Sequence, residues 1–309
     1  MKVLCFGSLN IDYTYQVEHF VKKGETISST SLQVFSGGKG LNQSTALAKA
    51  GAETYHAGAI GTDGLFLLEQ LQRAGVNTEH VAVSEEVRTG NAIIQNDAEG
   101  DNCIILYGGA NQAITTAQVD HVLSHFSEGD FLVLQNEINE LSYIIMQARN
   151  KGMRIVLNPS PMNEKILKLP LEAVDYFILN EIEAGQILGI ESMIDGEELA
   201  RMLLERFPKA AIVLTLGSEG SVYMDAQEKI NQQVYKVKAV DTTAAGDTFT
   251  GFFLGGILRG LTVREAMDTA SRAAALSVTK MGAAPSIPTW EEVELAVFSA
   301  GHLTGDKVQ

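Results

Sequence analysis

Short apolar runs alternate along the chain with longer segments of helical period. The runs are KVLCFG (2–7), TYHAGAIG (54–61), DFLVLQ (130–135), MRIVLN (153–158), DYFILN (175–180) and AIVLTLG (211–217). Between them lie LNQSTALAKAGA (41–52), GLFLLEQLQRAG (64–75), LSYIIMQARNKG (141–152) and EIEAGQILG (181–189). Nearly continuous apolar strands separated by helix-length segments predict βαβ units. These imply a mostly parallel sheet covered on both faces, with glycines such as those of AKAGA and QRAGV at helix C-caps. No Pro/Ser-rich linker and no repeat divides the chain, so residues 1–309 read as one α/β domain.

Two stretches depart from this alternation. Residues 12–36 are polar and β-branched (YTYQV, SLQVF). Residues 89–107 hold GNAIIQND and DNCIILY around AEG, a hairpin pattern. Both predict a small β-sheet beside the main domain. Its pairs Ile93/Gln95 and Ile104/Leu106 suggest one apolar face, to be covered by a second copy of the chain in a homodimer.

Composition narrows the function classes. Hydrophobic residues make up 45% and charged residues 20%, and 38 acidic against 23 basic residues give a net charge of −15. Such a field repels polyanions and argues against non-specific binding to nucleic acid or anionic membrane, but leaves room for a small phosphorylated ligand. No apolar run is long enough to span a bilayer, and the N-terminus reads as a strand rather than a secretory signal. Cys5 and Cys103, both in apolar stretches, read as buried free thiols suited to a reducing cytoplasm.

Candidate chemistry gathers just after strands, where open α/β sheets bind ligands. In VDTTAAGDTFTG (240–251), Thr242 or Thr243 is placed to cap a helix whose first turn holds Ala245, Gly246 and Asp247. Free N–H groups there suit an anion. An aspartate beside a phosphate makes sense if it takes a proton from an attacking hydroxyl; an acidic helix start before a Gly-rich packing helix is the plain alternative. FSGGKGLNQS (35–44) is a second Gly-rich entry into a helix, without Walker A spacing. Its Gly37, Gly38 and Gly40 allow close backbone approach, and Lys39 and Asn42 offer donors. In GSLNID (7–12), Asn10 and Asp12 alternate on extended backbone and face one way, a pair suited to vicinal hydroxyls. Asn180 and Glu183 of LNEIEAGQ fall on one helical face and suit a water-held hard cation, or simply a helix start. LTLGSEGS (214–221) is a strand and a Gly-bounded turn that a nucleotide, or an ordinary hairpin, would use.

Together these segments resemble the ribokinase-like (PfkB) carbohydrate kinase family over essentially the whole chain. GGKGLNQS resembles its N-terminal signature, DTTAAGDTFTG its C-terminal one, NEIE its N-x-x-E motif and LTLGSEGS its nucleotide-binding turn. SLNID, GGKGLNQ, LQNEIN and DTTAAGD are most similar to the ribose-phosphorylating members. The resemblance implies a ribokinase-like three-layer sandwich with a β-sheet lid. It also implies a Mg²⁺- and ATP-dependent kinase acting on the 5-hydroxyl of D-ribose. Asp247 would be the base, and the amides of Ala244, Ala245 and Gly246 an anion hole. Asn10, Asp12, Gly38, Lys39, Gly40, Asn42 and Glu137 would hold the sugar. Asn180, Thr215, Gly217, Ser218, Gly220, Gly246 and Ser271 would lie along the ATP, and Glu183 would position Mg²⁺ through water. Ser271 stands where the family more often carries a larger polar residue. ALSVTKMGAAPSIP (275–288) ends a helix in a Gly-containing loop with freed carbonyls. There the resemblance places a K⁺ site of Asp241, Thr243, Ser277, Lys280 (by its carbonyl), Gly282 and Ser286. The competing readings are a kinase of another sugar or nucleoside (fructose, deoxyribose, adenosine-like), or a non-catalytic sugar or nucleotide sensor. No aromatic platform for a base is evident, and intact Gly-rich loops with Asp247 argue against a sensor.

Overall fold

The computed structural model describes residues 1–99, 101–190, 192, 194–299 and 302–303. Its strands are β1 (Val3–Phe6), β2 (Asn10–Gln16), β3 (Ser31–Gly37), β4 (Thr54–Gly61), β5 (Asn77–Ser84), β6 (Gly90–Asn96), β7 (Asn102–Tyr107), β8 (Phe131–Leu134), β9 (Arg154–Leu157), β10 (Tyr176–Asn180), β11 (Ala211–Thr215), β12 (Ser221–Met224) and β13 (Lys229–Gln232). Its helices are α1 (Lys39–Lys49), α2 (Leu65–Arg73), α3 (Thr116–Leu123), α4 (Leu141–Asn150), α5 (Glu181–Leu188), α6 (Gly196–Arg206), α7 (Ala245–Leu258), α8 (Val263–Ser277) and α9 (Trp290–Leu295).

Nine strands form the main sheet in the order β13-β12-β11-β10-β9-β8-β1-β4-β5. Pairing is parallel from β5 to β11 and antiparallel at β12 and β13. The apolar runs are continuous because alternate residues feed two separate cores. Phe6, Leu134, Leu157, Leu179 and Leu214 pack with α3, α4, α5 and α6. Cys5, Val133, Val156, Ile178 and Val213 pack on the other face with α1, α2, α7, α8 and α9. This is the expected three-layer sandwich. Among the described residues no helix is long and apolar enough to cross a membrane.

The two irregular stretches join into one four-stranded sheet, β3-β2-β6-β7. β2 pairs β6 in parallel although about 80 residues separate them, so the hairpin β6–β7 is clipped onto the hairpin β2–β3. Gly100 of the expected AEG turn lies outside the described residues. The expectation of a single apolar face is corrected. Ile94 stands opposite Ile104, whereas Ile93 stands opposite Ile105, and opposed residues share a face. The face with Asp12 therefore carries Phe35, Ala92, Ile94, Ile104 and Leu106, and the other carries Val34, Ile93 and Ile105. Cys103 is corrected too: it is exposed on β7, whose residues are all exposed, while Cys5 is buried and free as expected.

Candidate active site

The site forms where the N-termini of α1 and α7 meet beyond the end of β1. Small residues bring the two helices together. A Cβ on Gly251 would lie 2.3 Å from the Ala46 Cβ, and one on Gly255 2.4 Å from the Ala50 Cβ, so any larger residue on α7 would push the backbones apart. At this spacing the Asn42 Nδ2 donates to Asp247 Oδ2 at 3.1 Å, and the Gln43 Nε2 donates to Oδ1 at 2.9 Å. Asp247, Asn42 and Gln43 are all buried, and the Asn42 Oδ1 has no protein partner.

The entry to α7 differs from the sequence expectation. Neither Thr242 nor Thr243 caps the helix. The N-cap is Ala244, at φ 62°, and no side chain caps it. An alanine in this left-handed region costs on the order of 1–2 kcal/mol, so the surrounding loop must hold it. Asp241 does part of that: its Oδ1 accepts from the Thr243 amide at 2.9 Å and hydroxyl at 2.6 Å, and its Oδ2 from the Gly282 amide at 2.9 Å. Thr243 is thereby turned away from the helix end. The amides of Ala244, Ala245 and Gly246 gather at the start of the helix. Ala245 N–H reaches back to the Thr242 carbonyl only at 3.3 Å, and a Cβ on Gly246 would meet nothing within 4 Å. Open volume therefore lies beside an N-terminal helix turn, a natural seat for an anion.

On the other side of Asp247 stand the residues expected around a sugar. Ser8 donates its hydroxyl to Glu137 Oε2, which also accepts from the Lys39 amide at 2.8 Å. A Cβ on Gly40 would lie 2.4 Å from the Ser8 nitrogen, so α1 abuts the end of β1. The Asp12 carboxylate lies over Gly37, within 2.0 Å of where a Cβ would stand. Burial, and then the neighbouring Glu137 charge, push the Asp12 carboxyl up to about 7. Burial likewise raises Glu137, against the Ser8 and Lys39 donors. Burial disfavours the Lys39 ammonium, but Asp247, Glu137 and Glu183 outweigh it and raise its pKa. Buried Asn111 fixes the hinge into β2: it accepts from the Leu9 amide at 3.0 Å and donates to the Asn10 Oδ1 at 2.8 Å.

Beyond α7 lies a cleft of about 700 Å³. Thr215, Gly217, Ser218, Gly220, Gly246 and Ser271, the residues that the resemblance assigns to ATP, line it together, and Val234, Tyr235, Phe249, Ala274 and Val278 add an apolar wall. Asn180 does not line it. Asn180 is the N-cap of α5, accepting from the Glu183 amide at 2.8 Å, while Glu183 Oε2 accepts from the Asn180 amide at 3.1 Å. The pair is a capping box rather than two residues of one helical face. No cluster of three His, Cys, Asp or Glu able to hold a metal occurs among the described residues. The Asp241 region is assembled: Val240 and Asp241 amides both donate to the Val278 carbonyl, at 2.7 and 3.2 Å. The Ser277 and Ser286 hydroxyls are buried and donate to Ala274 and Ala283 carbonyls, and the Lys280 ammonium is directed to Glu292 at 3.0 Å.

Ser8, Gln43, Asn111 and Gln135 were not singled out from sequence. Ser8 and Gln43 stand inside the quoted GSLNID and GGKGLNQS, but a serine in a turn and a glutamine in a helix carry no signal of their own. Asn111 and Gln135 reach the site only through the tertiary fold.

A nucleotide-sized cleft and a pocket of hydroxyl-binding groups on either side of one carboxylate define a phosphotransferase that acts on an alcohol. Residues 1–290 match the model of the pfkB family carbohydrate kinases, and the chain belongs to that family. It is 36% identical over 302 residues to the ribokinase of Staphylococcus aureus (strain COL), covering 94% of this chain and 98% of that protein. Its structure is similar to that of ribokinase from Cryptococcus neoformans var. grubii serotype A in complex with ADP, with a TM-score of 0.82, 33% identity and 95% and 98% of the two chains covered. It is also similar to Arabidopsis thaliana ribokinase complexed with ribose and ATP, with a TM-score of 0.82, 28% identity and 95% and 97% covered.

Proposed function

We propose that this chain transfers the γ-phosphoryl group of ATP to the 5-hydroxyl of D-ribose, giving D-ribose 5-phosphate and ADP. The observation that carries this reading is the place of Asp247. Its carboxylate faces Asn42 and the Lys39–Glu137 group, while the residue before it lines the 700 Å³ cleft. The 5-hydroxyl gives its proton to Asp247 as its oxygen forms a bond to the γ-phosphorus and the bond to the β-phosphate oxygen breaks. The amides of Ala244, Ala245 and Gly246 receive the charge on the transferred group. Catalysis is then mainly positioning and electrostatics. Asn10, Asp12, Gly38, Lys39, Gly40, Asn42 and Glu137 hold the sugar, and the unpartnered Asn42 Oδ1 accepts one of its hydroxyls. Thr215, Gly217, Ser218, Gly220 and Ser271, which line the cleft, hold the nucleotide, whereas Asn180 serves as the cap of α5.

Mg²⁺ would neutralise charge on the phosphates. The residues fit a cation held through water, because Glu183 is buried near Lys39 and spends only one oxygen on its cap. A K⁺ ion would fit the carbonyl-rich loop braced by Asp241, with Thr243, Ser277, Lys280, Gly282 and Ser286 around it. The small sheet, drawn from about 12–36 and 89–107, acts as the lid of one kinase unit. Its exposed apolar residues favour a homodimer formed lid to lid, and two unpaired thiols favour a cytoplasmic setting. The test is ADP release, by a coupled assay, against a panel of pentoses, hexoses and nucleosides, with Asp247→Asn alongside. Ribose should be the preferred acceptor, and the substitution should lower kcat by at least about 10²-fold with little change in ribose Kd. Near-normal turnover by the purified variant would reject Asp247 as the base.

A further inference from the structure

Behind Asp247, on the side away from both ligands, lies a chain of buried amides. Gln43 is fully buried on α1 and touches Asp247 Oδ1 through its Nε2 at 2.9 Å. Its own Oε1 accepts from the Gln135 Nε2 at 2.7 Å. Gln135, 1% exposed just past the end of β8, also directs this nitrogen to the Cys5 sulfur at 3.5 Å. The direction of every bond follows. Cys5 in turn donates to the Gly40 carbonyl at 3.5 Å. Gln135 must present its nitrogen, so Gln43 must receive with its oxygen and present its own nitrogen to Asp247. The Gln135 Oε1 has no protein partner and stands close to Gly7, 2.3 Å from where a Cβ there would be.

We infer that Gln43, oriented by Gln135, is a positioning residue that holds the Asp247 carboxylate by Oδ1 while Asn42 holds Oδ2, so that a remaining lone pair of Oδ2 takes the proton from the sugar hydroxyl. This rests on the proposed role of Asp247 as base. Both glutamines are buried and neither lines the cleft, so neither is assigned a catalytic contact. Held by Asn42 alone, the carboxylate could turn about that one bond and lose its alignment with the hydroxyl, and a displacement of about 1 Å is enough to cost up to 10²-fold in rate.

The test is a double-mutant cycle on the full-length chain, reading kcat, ribose Kd and thermal midpoint. Gln43→Met keeps length and apolar volume and removes the donor. It should lower kcat by about tenfold or more, as for loss of a hydrogen bond to a charged group, while ribose Kd stays nearly unchanged. In the Asp247→Asn background the same change should move kcat by less than about twofold, because residues acting through one group are non-additive. Gln135→Met should give a smaller loss that likewise vanishes in that background, and it serves if Gln43→Met does not yield folded protein. Equal fold losses in both backgrounds, or an unaltered kcat in folded Gln43→Met, would overturn the inference. Full activity of Asp247→Asn alone would instead overturn the role of Asp247.

Discussion

Ribose binding should depend on pH through Asp12. Burial and the neighbouring Glu137 raise its carboxyl from the usual 3.8 to about 7. An ionised carboxylate only accepts hydrogen bonds, which matches sugar hydroxyls that donate; the protonated form presents an O–H instead. With a value near 7, only about a tenth of the free sites are ionised at pH 6 and about nine-tenths at pH 8. Ribose affinity should therefore rise roughly tenfold from pH 6 to pH 8, and binding at pH 7 should release about half a proton. Glu137 is shifted in the same direction, chiefly by burial. The sign for folding is the reverse of the common carboxylate case. The folded chain holds a proton on Asp12 that the unfolded chain has lost, so this group lowers the stability of the sugar-free protein as pH rises from about 4 to about 7. Calorimetry with ribose alone, in two buffers of different ionisation enthalpy, measures both affinity and proton release without the titration of ATP. Asp12→Asn should bind more weakly and nearly flatten the slope between pH 6 and pH 8. A wild-type affinity constant over that range, or one that strengthens on acidification, would refute the argument.

Three further outcomes follow from the geometry. Gly251→Ala inserts a methyl group 2.3 Å from the Ala46 Cβ and should cost about 1–3 kcal/mol of stability as overpacking, with a fall in kcat; an unchanged thermal midpoint would show that α7 can move away freely. Replacing K⁺ by Na⁺ or tetramethylammonium at constant ionic strength should slow the wild type several-fold, and Asp241→Ala should turn over slowly and without response to K⁺; equal wild-type rates in all three salts would remove the cation site. With Ile104 50% and Leu106 58% exposed on one face of β7 and Ile105 59% on the other, light scattering at micromolar concentration should report about twice 33.3 kDa, and Leu106→Lys should shift it toward the monomer.

What the sequence made legible is local. Strand-end loops rich in Gly, Asn and Asp announce themselves because each residue type answers a backbone demand at its own position, and GGKGLNQS and DTTAAGD both lie where the structure brings helix N-termini together. What stayed hidden depends on partners far along the chain. The parallel pairing of β2 with β6 decides which face Ile93 and Ile104 take, and no window within one strand contains that information. The polar edge strand β5 and the short strand β13 lack a strong apolar alternation to mark them in the sequence. Ala244 in a left-handed N-cap contradicts local preference, and contacts such as the Asp241 bonds to Thr243 and across to Gly282 appear only in the folded chain. Gln43 and Gln135 read as ordinary polar residues because a glutamine shows nothing of its partners until the fold supplies them.

The same dependence explains why the chemistry sits on a helix pair rather than on one loop. Each of the two Gly-rich entries makes only half of the site: α1 supplies amide side chains without a base, and α7 supplies a base and free amides without anything to orient the carboxylate. They combine only because Gly251 and Gly255 let α7 lie against Ala46 and Ala50 of α1. Asp247 is then held by two donors at 2.9 and 3.1 Å. Hydrogen bonds of that length tolerate a displacement of only a few tenths of an ångström before they weaken. On the proposed role of Asp247 as base, the small residues one turn and two turns past it are as much a condition for proton transfer as the carboxylate. Packing sets the distance between the helices, that distance sets the two hydrogen bonds, and the two bonds fix how the Asp247 carboxylate is turned for its proposed role.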